Sequence, residues 1–177
     1  TQVGAIAHIY SWALERATPE TATISVSLLA GCSFISRLIC GSFLDRISLY
    51  PFVLTLYFLQ GLAMVVIAFA SGEAYVLAAT AFFGAMVGNI LMSGPLLIGR
   101  AFGTRDFPRI LSYNQLIMNI GVAAGPILIG TIYDFGGGYQ NAFLAVGGSS
   151  ALAFLLLLAA GSPDACIRQI SGDRAAK

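Results

Sequence analysis

The chain has 177 residues, of which 58% are Ala, Val, Ile, Leu, Met, Phe, Trp, Tyr or Cys and only 10% are charged, with a formal net charge of +1. A soluble domain carries about 25% charged residues, so the composition excludes an ordinary soluble enzyme and points to an integral membrane protein. Near-neutrality without a dense basic patch excludes a nucleic-acid partner.

A bilayer core about 30 Å thick is crossed by about 20 apolar residues in helical conformation. Runs of that length predict an all-α membrane protein: the end of one helix at residues 1–13, then five full transmembrane spans at 21–44, 51–70, 74–99, 110–133 and 140–161. The runs are continuous rather than alternating, which argues against a β-barrel. Residues 162–177 read as a polar cytoplasmic tail, expected to be disordered. Because the chain opens at Thr1 in what read as the last turns of a helix, a fragment of a longer protein is expected.

His8, Tyr10 and Trp12 stand near the exit of the first helix. A lone histidine there reads as an interfacial hydrogen-bonding residue, and no catalytic role is assigned to it. The first full span carries Ser25, Ser27, Ser33, Ser36 and Arg37. Arg37 precedes Asp45 by eight residues, which puts it about 12 Å from the helix end. A charge at such depth costs about 2.5–3.5 kcal/mol on insertion scales, so something must compensate it. One compensation is an anionic substrate, since the planar guanidinium matches a carboxylate in two parallel hydrogen bonds. The other is structural, with Arg37 snorkelling or joining a charge network with Asp45. Both stay open.

That span ends in Gly41-Ser42-Phe43-Leu44-Asp45-Arg46-Ile47-Ser48, a charged elbow between two apolar runs. The second span carries little polarity beyond Thr55 and Gln60; the third carries Asn89, Ser93 and the Gly94-Pro95 pair; the fourth carries Tyr113, Asn114, Gln115, Asn119 and Gly125-Pro126; the fifth has only Ser149 and Ser150. Pro95 and Pro126 each remove a backbone hydrogen bond and are expected to bend their helices. Polar groups are costly against lipid, so the first, third and fourth spans are expected to face protein or water, and the second and fifth to face lipid. Asn89 and Asn119 lie at depths comparable with Arg37. They are candidates to line one polar site with it, against the commoner alternative of interhelical hydrogen bonding.

Between the third and fourth spans a segment Arg100 to Arg109 reads as a loop. Arg46, Arg100, Arg105, Arg109, Arg168, Arg174 and Lys177 fall on one side of the membrane and only Arg16 on the other, which places the C-terminus in the cytoplasm. Six crossings result. Cys32, Cys40 and Cys166 have no metal-ligand spacing, and no Ser/His/Asp, Cys/His or zincin grouping occurs, so no metal site, cofactor or enzymatic activity is expected.

The first span closes with Gly41-x-x-x-Asp45 and the fourth with Gly130-x-x-x-Asp134, three crossings apart and therefore on opposite sides. An inverted repeat of three plus three helices leaves such a trace.

The Gly-x-x-x-Asp-Arg-x-Ser elbow, with the span count and the charge bias, resembles the loop signature of the major facilitator superfamily of secondary transporters. The resemblance implies the C-terminal six-helix half of a twelve-span carrier in the plasma (inner) membrane. A small solute would be moved by alternating access, with a missing N-terminal half as partner. Gly41, Asp45 and Arg46 would form the gating loop. The signature departs from the family's in having Ser48 for the second glycine and no basic pair after it. Arg37-Leu38-Ile39-Cys40-Gly41 resembles the Arg-x-x-x-Gly of the eighth span in monocarboxylate porters and oxalate:formate antiporters, where the arginine binds the substrate carboxylate. That branch implies a monocarboxylate or similar small organic anion as cargo, possible coupling to a proton, and Arg37 as the binding group. This chain has Ser33 where monocarboxylate porters often carry an acid, and it lacks the span-eleven lysine of oxalate exchangers. The first departure leaves a proton no evident carboxylate; the second argues against a doubly charged cargo. The alternatives are efflux of a drug-like or neutral solute, and an inactive or orphan half-bundle acting only as a membrane interaction partner.

Overall fold

The computed structural model describes residues 2–161, without the side chains of Asp45, Thr104 and Arg105. The expected tail at 162–177, with Cys166, lies outside the described residues. The described residues form α1 (Gln2–Arg16), α2 (Pro19–Phe43), α3 (Leu49–Phe69), α4 (Glu73–Gly103), α5 (Asp106–Gly136) and α6 (Tyr139–Ala160). All but α1 are long and apolar enough to cross a membrane. The class is an all-helical six-helix half-bundle.

Local chemistry sets the helix ends. Thr18 caps α2 by accepting a hydrogen bond from the Thr21 amide at 3.4 Å, and Pro19 follows it in the first turn, where a missing N–H costs nothing. The charged elbow folds as a short 3-10 turn, Leu44–Arg46. The segment Arg100–Arg109 is not the loop its charge and proline suggest. Helix α4 runs to Gly103, whose φ of 67° breaks it, and α5 resumes at Asp106 with Pro108 in its first turn, where proline is tolerated. One glycine turns the corner.

Three close pairings build the bundle. A Cβ on Gly84 would stand 2.6 Å from the Leu29 carbonyl oxygen and one on Gly88 would stand 2.5 Å from that of Ser33, so the Gly84-x-x-x-Gly88 stripe of α4 lets the α2 backbone come close. On the other side, a Cβ on Gly4 of α1 would stand 2.5 Å from the Gly125 backbone of α5. Helix α3 pairs with α6, where Gly61 faces Gly147, the Tyr50 hydroxyl donates to the Leu157 carbonyl at 3.0 Å, and Phe58 meets Phe154. Exchanging the triplets α1–α3 and α4–α6 maps these pairings onto one another, as an inverted three-plus-three repeat requires.

The core lies where α1, α3, α4, α5 and α6 meet, around Trp12, Met64, Phe83, Ile129 and Phe143. Burial does not follow the expected order of spans. In α4 56% of the most apolar stretch is buried, against 39% in α3, 28% in α6 and only 11% in each of α2 and α5. Gln60, expected on a lipid-facing span, is fully buried, because its turn of α3 is covered by neighbouring helices on the inner side.

Candidate functional site

Arg37 lies on α2 in an exposed stretch, between Phe34 at 65% and Leu38 at 58% exposure. Its neighbour Ser36 turns the other way, donating to the Ala85 carbonyl of α4 at 2.9 Å and accepting from the Asn89 amide at 2.6 Å. The Asn89 amide also donates to Ala85 at 2.9 Å, while its buried carbonyl oxygen has no partner among the described residues. Asn89 is thus a helix-packing group at 3% exposure rather than a group displayed beside Arg37. Asn119 is exposed on α5, flanked by Met118 and Ile120. Arg37 and Asn119 therefore share the property of standing on the two least buried spans, and Asn89 lies in the α2–α4 seam.

The elbow is open too. Arg46 is exposed, and a Cβ on Gly41 would meet nothing within 4 Å. Gly130, its counterpart in the repeat, is equally free. Neither glycine serves packing within this bundle, unlike Gly4, Gly84 and Gly88, and Gly61 with Gly147.

Pro95 and Pro126 lie inside α4 and α5. Each deprives the carbonyl four residues earlier of its donor, which is Leu91 in α4 and Val122 in α5. Both residues line one cavity of about 300 Å³, together with Tyr57, Asn114, Ser149 and Ser150. Polar lining of this kind can satisfy carbonyls that a proline releases. None of Arg37, Asn89 and Asn119 lines that space.

A second polar cluster was not visible in the sequence as a unit. The His8 ring contacts the Pro126 carbonyl through Nε2 at 3.2 Å and the Tyr139 hydroxyl through Nδ1 at 3.4 Å. Tyr139 packs on Tyr133 with ring centroids 4.5 Å apart, and the Tyr133 hydroxyl donates to Glu15 at 2.8 Å. Arg16 lies over the Trp12 ring at 5.5 Å, and burial pulls its guanidinium below the ordinary arginine value while Glu15 opposes the shift. The only signal for this cluster was a tyrosine on each side of the glycine turn Gly136–Gly138. Among the described residues no group of His, Cys, Asp or Glu is placed to hold a metal ion.

The Major Facilitator Superfamily model matches residues 3–169, nearly the whole chain. The chain belongs to the major facilitator superfamily. No curated protein and no solved structure matches it. The facilitator family is one of secondary transporters and is generally not enzymatic. This chain is accordingly an integral membrane protein of the transport class, and its bundle is a half of the facilitator fold.

Proposed function

We propose that this facilitator chain is the C-terminal bundle of a carrier for a small organic anion, with a monocarboxylate as the favoured cargo and Arg37 as the group that binds it. The single observation behind this reading is a guanidinium about 9 Å from the end of α2 at Phe43, in an exposed apolar stretch that includes Phe34, Ile35, Leu38 and Ile39. A cation so placed is stable only against water, a partner bundle or an anion. An N-terminal six-helix half would cover the α2 and α5 faces and enclose the site between the two bundles, with Asn119 as a further lining group. Asn89 then supports the site from behind, through Ser36. Gly41, Asp45 and Arg46 act as the gate on the cytoplasmic side of the plasma (inner) membrane, the side on which the Lys and Arg bias favours the C-terminus.

Vesicles carrying the whole protein test the cargo. Uptake of labelled lactate, formate or pyruvate is expected, with no uptake of neutral or cationic drug-like compounds. The reverse pattern assigns the carrier to efflux and Arg37 to structure.

A further inference from the structure

Two of the buried polar atoms without a hydrogen-bond partner among the described residues belong together: Nε1 of Trp12 and Nη1 of Arg16, both on α1. Residues four apart on a helix share a face, and the Arg16 guanidinium lies over the Trp12 ring, 5.5 Å from its centroid. An indole N–H and a guanidinium can only donate, so neither satisfies the other. Nor can the indole turn away to solvent, because Trp12 is fully buried and Phe143 of α6 packs edge-on against it at 5.9 Å. Burial lowers the Arg16 pKa, the mark of a cation short of water, and the same burial strengthens its attraction for any counter-charge that reaches it. The pair calls for an acceptor with negative charge.

The nearby carboxylates do not supply it. Glu15 is the adjacent residue, and consecutive side chains on a helix do not face each other. Its carboxylate accepts from the Tyr133 hydroxyl at 2.8 Å, and its charge offsets only part of the desolvation of Arg16, since the shift remains downward. Glu20 of α2, Glu73 of α4 and Asp134 of α5 belong to the same end of the bundle and are exposed, so water and salt screen them. What remains of their field weighs most against an anion of higher charge. A small monovalent anion therefore meets two buried donors at the least electrostatic cost.

We propose that Trp12 Nε1 and Arg16 Nη1 together bind a small monovalent anion, a halide or a carboxylate, at the end of the bundle away from the Asp45 elbow. This site is separate from Arg37, which lies roughly five turns into α2, and it stands whether or not Arg37 binds cargo. Trp12 is the one tryptophan, so its emission reports on the site alone. Bromide, a heavy-atom quencher, is titrated into this chain in detergent, with sodium sulfate holding the ionic strength constant. A buried indole is shielded from collisions, so the quenching is expected to saturate, and chloride, a far weaker quencher, is expected to relieve it by competition. Relief by lactate as well extends the site to carboxylates; relief by chloride alone makes it a halide site. Arg16→Gln should abolish the saturating part and Arg16→Lys should keep some of it, with an unchanged Trp12 emission maximum showing that the ring stays buried in both. Quenching that rises without saturation in the parent chain, saturation that neither chloride nor lactate relieves, or saturation that survives in Arg16→Gln overturns the site.

Discussion

Ser36 is the residue on which the α2–α4 seam turns, because its hydroxyl both donates to Ala85 and accepts from Asn89. Ser36→Ala leaves the Asn89 amide with Ala85 alone, next to a carbonyl oxygen that already lacks a partner. The expected loss of stability is about 1 kcal/mol, within the usual range for one hydrogen bond and slightly above the membrane average of about 0.6. Denaturation of the purified chain in detergent reads it. Arg37, one residue on, was legible as an anomaly because a charge inside an apolar run needs a reason. The work of Asn89 was not, because intramembrane polarity marks a residue for attention without telling a packing amide from a binding one. His8 makes hydrogen bonds, as a lone histidine near a helix exit was expected to, but which groups it meets was not legible. Its partners come from residues 118 and 131 positions away, and no local pattern announces them.

Among elements, glycine decides where helices meet. Gly88→Ala places a methyl group 2.5 Å from the Ser33 carbonyl oxygen, a backbone atom that cannot swing aside, so α2 and α4 must separate. We expect a loss of about 1–3 kcal/mol, the usual cost of overpacking. Gly130→Ala meets open space and should leave the bundle unchanged or stabilise it by up to about 1 kcal/mol through helix propensity. Thermal melts of the two variants side by side test the contrast. The spans themselves were readable from length and apolarity, and the glycine-to-Asp repeat foreshadowed the inverted pairing of α2 with α4 and α1 with α5. The Arg100–Arg109 corner was not readable. Charge and proline suggested a loop, whereas arginine, alanine and phenylalanine continue a helix well enough and proline is harmless in a first turn.

For the whole molecule, the exposed faces are the informative ones. Helices α2 and α5 carry Arg37 and Asn119 and yet are the least buried, while α4 occupies the centre. The sequence pattern singled out α2, α4 and α5 as the polar spans but could not say which of them the bundle itself covers. Polarity on α4 is spent inside, on Asn89 and Ser93. Polarity on α2 and α5 is left for something beyond these helices, and large apolar side chains such as Phe34, Leu116 and Ile120 accompany it. A surface both apolar and charged fits a second bundle with a polar site between better than it fits lipid alone.

Uptake of a labelled monocarboxylate by vesicles of the whole protein, comparing the parent with Arg37→Gln and Arg37→Lys, bears on this most directly. A charge-assisted hydrogen bond is worth about 1.5–3 kcal/mol, so Arg37→Gln should weaken uptake by roughly tenfold to a hundredfold. Arg37→Lys should recover only part of it, since a point charge lacks the planar fork. Equal uptake in all three proteins would contradict the assignment of Arg37 to the cargo.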